Sequence, residues 1–199
     1  MKTRLVTALA SLLIPSAVMA QDPVQIQKLF ESGKYQQVVE STTADSPPEV
    51  LYTTAQSQQR LGANDQAAQT FVRLAERPEA DPWHFIGLSG RQLLEGNADA
   101  AVGSARQAVA MAPDLPSSHF QLGLVLARQQ TWAEAAAEFD AASERQPSNA
   151  YAHYYGGMMH YRANRIDRMA VHFDQFLKLA PEAPERPEVL SIMRTLKSR

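Results

Sequence analysis

Apolar residues recur three and four positions apart in short runs separated by polar turns, and the runs themselves repeat. Ile26, Leu29 and Phe30 form such a stripe near the start, and Val189, Ile192, Met193 and Leu196 another near the end; this spacing puts one face of a helix against a core. Between them a longer period governs. Pro48, Pro82 and Pro116 stand 34 residues apart, Ala150 takes the next slot and Pro184 the one after. With those residues as place one, place eight is always small: Ala55, Ser89, Gly123 and Gly157. Place twenty holds Ala67, Ala101, Ala135 and Met169, and place twenty-four holds Phe71, Ala105, Phe139 and Phe173. Pro113, Pro147 and Pro181 close three of the units. A fixed period of this length is the signature of an array of helix pairs.

The columns have a physical reading. Small residues at places eight and twenty let the two backbones of a pair approach closely. The aromatic at place twenty-four fills the space between units. Proline at place one suits the first helical turn, where its missing N–H has no intrahelical partner, and proline after the second helix stops it. Gly62-Ala63-Asn64, Gly96-Asn97 and Ala163-Asn164 supply turns between the helices, and Gln129-Gln130 takes that place in the third unit. Glu76 to Asp81 departs from the spacing, because Pro78 arrives one place early, and reads as an altered turn within one continuous domain.

These motifs resemble the tetratricopeptide repeat (TPR). The unit carrying Leu122-Gly123, Ala135, Phe139, Ala142 and Pro147 follows the family pattern almost throughout. It departs at His119, where the family prefers tryptophan, and at Leu126, where it prefers tyrosine. The last unit diverges further, with Gly156, His160 and Met169 where leucine, tyrosine and alanine are usual. The resemblance implies an all-α chain, an α-solenoid of about five helix pairs plus a capping helix. The array is expected over 24–182, with a degenerate pair at 24–45 and units from 48, 82, 116 and 150. A helix over 184–198 would cover the last pair, its Glu188, Arg194 and Lys197 facing water, as the end of such an array requires.

The ends change the picture. Residues 1–20 begin with Lys2 and Arg4, continue with an apolar run from Leu5 to Ile14, break at Pro15 and finish Val18-Met19-Ala20. This is the layout of a secretory signal peptide cut after Ala20, and the run is short for a membrane span. No stable membrane insertion is expected after cleavage, and the expected address is the periplasm. Without residues 1–20 the 19 basic residues become 17 against 21 acidic ones, a net charge of −4. A mildly acidic chain without a basic stripe argues against nucleic acid. With no cysteine there is neither disulfide nor thiol chemistry.

No catalytic motif emerges: there is no glycine-rich phosphate loop, no zinc-binding histidine pair motif and no nucleophile elbow. Ser89 sits in the small-residue column and reads as packing. Met158, Met159, His160, Met169 and His172 could suggest a metal. Adjacent residues on a helix point about 100° apart, so Met158, Met159 and His160 cannot converge on one ion. The expectation is therefore packing, with no metal and no cofactor. His119 and His153 share place four, where a ring packs between helices.

In TPR proteins the inner, concave surface is built from places two, five, nine, twelve and thirteen. Carried onto this chain, that surface includes Tyr52, Trp83, Ile86, Phe120, Tyr151, Tyr154 and Tyr161, edged by Arg60, Arg128 and Arg162. Aromatic side chains offer contact area at little entropic cost, and arginine grips carboxylates through paired hydrogen bonds. The expectation is a non-catalytic interaction module of the cell envelope, binding a partner peptide or helix on this face. The alternative is a self-assembling envelope component.

Overall fold

The computed structural model describes residues 22–197, and the expected signal peptide lies outside them. Those residues form eleven helices. A short pair, α1 (Pro23–Glu31) and α2 (Tyr35–Ser41), precedes four long ones: α3 (Pro48–Arg60) with α4 (Asn64–Ala75), α5 (Pro82–Leu94) with α6 (Ala98–Met111), α7 (Pro116–Arg128) with α8 (Trp132–Arg145), and α9 (Ala150–Arg162) with α10 (Ile166–Leu179). The final helix is α11 (Arg186–Lys197). No strand occurs among the described residues, and each helix packs on its neighbours in the chain, the arrangement of an α-solenoid.

Local chemistry sets these boundaries. Pro48, Pro82 and Pro116 stand at the first positions of their helices. The carboxylates of Asp22 and Asp81 and the amide oxygen of Asn149 accept N–H groups of the first turns of α1, α5 and α9, satisfying donors that would otherwise lack partners. The turn within each pair needs one left-handed residue. Gly33, Gly62 and Gly96 supply it with φ near +70 to +80°, while Gln130 and Asn164 adopt it at 62° and 57°. The altered turn before α5 is held by an Arg77–Asp81 ion pair at 2.7 Å and by His84 Nδ1 against the Arg77 carbonyl at 3.0 Å.

The small-residue columns act as expected. Ala55, Ala67, Ala101 and Ala135 are fully buried, and Met169 is accommodated at the same crossing in the last pair. A methyl group on Gly123 would lie 2.9 Å from the Phe139 ring, and one on Gly157 would lie 2.4 Å from the Phe173 ring. Place twenty-four therefore packs against place eight of its own unit. It also reaches the next unit, where Phe139 stacks on Tyr155 with ring centroids 5.3 Å apart.

The winding brings the two ends of the array together. Phe30 on α1 lies 4.8 Å from Tyr151 on α9, centroid to centroid. Glu31 accepts the N–H of Ala150 at 3.0 Å, capping α9 from the opposite end of the chain. Pro184 seats against Gly33, where a methyl group would lie 2.7 Å from its ring. In α11, Val189 is fully buried and Ile192, Met193 and Leu196 pack on the core.

Candidate functional site

The end-to-end winding decides what the inner face can do. Places two and five, expected as an open aromatic groove, are packed within the chain: Trp83, Ile86, Tyr52, Phe120, Tyr151 and Tyr154 are each less than 10 % exposed. Tyr52 meets Trp83 at 5.9 Å and Phe120 edge-on at 6.5 Å. Its hydroxyl donates to Gln121 Oε1 at 2.9 Å, and Gln121 Nε2 donates to Ser89 Oγ at 3.0 Å, joining three units through one buried chain. The expectation that these side chains line an open inner groove is corrected, since all six are buried. A solenoid wound this tightly turns its innermost side chains on one another.

The expected arginine–carboxylate grip exists, but within the molecule. Arg60 pairs with Glu185, just before α11, and donates to the Tyr155 hydroxyl at 3.0 Å, its guanidinium 5.2 Å from the Tyr151 ring centre. Glu185 in turn accepts the Tyr151 hydroxyl at 2.7 Å, and Glu188 accepts that of Tyr154 at 3.1 Å. Burial and the adjacent carboxylates hold both tyrosine hydroxyls well above their usual range, so they serve as donors. Glu188 is exposed as expected and makes that bond as well. Arg162 lies over the Trp132 ring at 5.7 Å, and Tyr161 beside it is 39 % exposed.

What remains open lies mostly at places nine, twelve and thirteen, with some residues of places two and five at its borders. A cavity of about 480 Å³ lies between the C-terminal halves of α3, α5 and α7. Leu93, Leu124, Ala127 and Phe120 give it an apolar floor, with Gln56 and Gln59 beside them and Arg60 and Arg128 at its edge. Of the expected site residues it gathers Arg60, Phe120 and Arg128; Tyr161 and Arg162 stand apart from it. A second, smaller cleft of about 200 Å³ opens beside α1, lined by Val24, Glu31, Glu49, Tyr52, Ser117 and Tyr151 among others.

A separate polar cluster joins the last two full pairs. Asp140 Oδ1 on α8 lies 2.9 Å from His160 Nε2 on α9 and 2.8 Å from His172 Nε2 on α10. Burial would raise the Asp140 pKa, but the two imidazoles outweigh it and hold the carboxyl well below its usual range. His172 Nδ1 meets His153 Nδ1 at 3.3 Å, and His153 Nε2 faces the Pro147 carbonyl at 3.2 Å. Sequence reasoning places His160 in a packing column, reads His172 as packing and misses Asp140. One signal lies in the repeat: places eleven and twenty-three form a polar pair in other units too, Gln58 with Thr70 and Gln92 with Ser104, each at 2.8 Å.

Helix pairs in 34-residue register around an apolar, arginine-edged cavity define a helical-repeat interaction module. Profiles described as "Tetratricopeptide repeat" match residues 49–80, 92–144 and 120–184, together more than half of the chain. The chain belongs to the tetratricopeptide-repeat family. Its fold is similar to TTC0263, a thermophilic TPR protein of Thermus thermophilus, at TM-score 0.63 and 20% identity over 87% of this chain and 98% of that one. It is also similar to YrrB, described as a TPR protein with an unusual peptide-binding site, at TM-score 0.53 and 17% identity over 89% and 88%. A MamA crystal structure follows at TM-score 0.50 and 15% identity over 73% and 84%. No curated protein sequence matches significantly. No helix among the described residues is long and apolar enough to cross a membrane.

Proposed function

We propose that this protein is a non-catalytic binding module of the bacterial periplasm, holding a short segment of a partner protein in the cavity between α3, α5 and α7. The observation that carries the reading is the cavity's make-up. Leu93, Leu124 and Ala127 form an apolar floor next to Arg128, which is exposed. That combination takes an apolar side chain beside a carboxylate: burial supplies affinity and the guanidinium fixes orientation. Arg60 is already engaged by Glu185, so Arg128 is the arginine free to meet an incoming acid. The peptide-binding site ascribed to YrrB is consistent with this reading. The mechanism is recognition, with no bond made or broken.

The test is site-specific crosslinking. A photo-reactive residue at Leu124 should capture a partner from envelope extract that the same probe at Val171, which is 60 % exposed, does not capture. Against that partner, Leu124→Arg and Arg128→Glu should weaken affinity, the former by about 2 kcal/mol or more as for a central anchor. Equal capture from both positions, or unchanged affinity in both variants, overturns the assignment.

A further inference from the structure

Asp140, His160 and His172 form a cluster that the proposed function does not use. Three candidate donor atoms from three different helices lie within 4.8 Å of one another. The side chains of His160 and His172 are 1% and 9% exposed, whereas Asp140 is 25% exposed and keeps one side toward solvent. Two imidazole nitrogens and one carboxylate oxygen form a donor set suited to divalent first-row transition cations. The two carboxylate–imidazole separations of 2.8 and 2.9 Å need open by only a few tenths of an ångström, and the two imidazole nitrogens lie within 4.8 Å of each other. A tetrahedral site with bonds of about 2.0–2.1 Å has donor edges of about 3.3 Å.

Two features support the histidine placement. The first is the space made for His172. A methyl group on Gly156 would lie 2.9 Å from His172 Nδ1, so the ring occupies room that glycine leaves open. The preceding unit has Leu122 at that place and Glu138 opposite it. The second is the hydrogen-bond relay behind His172. With its Nε2 lone pair given to a cation, His172 carries its hydrogen on Nδ1 and donates to His153 Nδ1. His153 then donates from Nε2 to the Pro147 carbonyl. Every hydrogen along this path has an acceptor, and the metal-facing nitrogen is fixed by the bond the other one makes. His160 is held through Nε2 alone, since its buried Nδ1 has no hydrogen-bond partner among the described residues.

We propose that Asp140, His160 and His172 bind a divalent transition cation, with His153 as the positioning residue behind His172. Three protein donors leave at least one coordination position open on the side where Asp140 meets solvent. The site ties α8 of one unit to both helices of the next, so an ion there would brace the junction between them.

Titration of the metal-free full chain with Zn²⁺ in a calorimeter tests this. One ion per chain is expected, with a rise in the melting temperature. Asp140→Asn keeps the shape of the carboxylate and should weaken binding at least a hundredfold, as should His172→Gln. His153→Phe removes only the relay and should weaken binding by about 10–100-fold. His84→Ala, which deletes a histidine outside the cluster, should leave affinity unchanged. Should His172→Gln fail to fold by circular dichroism, Asp140→Asn decides alone. No uptake by the parent chain, or equal affinity in Asp140→Asn, overturns the proposal.

Discussion

Single residues carry strain and charge that experiments can read. Gln130 holds the left-handed turn position at φ 62° that glycine holds at Gly62 and Gly96. The left-handed conformation costs a non-glycine residue about 1–2 kcal/mol, and glycine gives back about 0.5–1 kcal/mol through its greater freedom when unfolded. Gln130→Gly should therefore stabilise the chain by about 0.5–1 kcal/mol, seen as a higher midpoint in urea. Gly87 and Gly103 form a contrasting pair. A methyl on Gly87 would meet the Ala75 nitrogen at 2.5 Å and the Phe71 carbonyl at 2.6 Å, whereas one on Gly103 meets nothing within 4 Å. Gly87→Ala should cost about 1–3 kcal/mol by overpacking, and Gly103→Ala should gain up to about 1 kcal/mol of helix propensity. His119 adds a pH dependence. Its hydrogen bond to Glu138 at 2.7 Å, and a second to the Pro113 carbonyl, raise its pKa against partial burial and the nearby Arg145. A raised folded value means this stabilisation is complete below the ordinary histidine value of about 6.5 and is lost as pH rises through the folded value. His119→Gln should remove that part of the slope of stability against pH above about 6.5. An unchanged slope would place the charge elsewhere.

The helices are largely legible in the sequence, and their closure is not. Periodic small residues, starting prolines and turn glycines mark the long pairs because each acts on neighbours within one unit. The contacts that close the array join residues 119 and 125 apart, Glu31 with Ala150 and Arg60 with Glu185. No column of a 34-residue period displays such a pairing. Arg60 and Arg128 border the larger cavity, while the aromatic side chains expected at places two and five are buried by the winding. The histidine cluster is half visible, since its two rings stand on one hairpin but Asp140 comes from the unit before. The closing segment has its own test. Glu185→Ala leaves Arg60 without its carboxylate and Tyr151 with only the Tyr35 hydroxyl at 3.3 Å, and should cost about 1.5–3 kcal/mol. Chemical denaturation checks this, and Glu182→Ala, on an exposed residue of the same segment, serves as the control.

At the scale of the molecule the array departs from a one-dimensional stack. In an open solenoid each unit touches only its neighbours, and stability is close to a sum over adjacent pairs. Here α1 also leans on α9, and Pro184 rests on Gly33. Deleting residues 184–199 should therefore lower amide protection in α1 and α2, at the other end of the array. Hydrogen exchange followed by mass spectrometry measures it. Protection lost only in α9 and α10 would show that the two ends act independently.

Contact between the ends also fixes how many units the protein can have. Duplicating or removing an internal unit is a small step for an open array, whose growing edge meets nothing. In this chain an added 34-residue unit would carry Ala150 and Tyr151 away from Glu31 and Phe30, exposing both apolar ends at once. Lengthening by whole repeats, a common way for such arrays to evolve and to be engineered, is closed to this one unless its first pair is rebuilt at the same time.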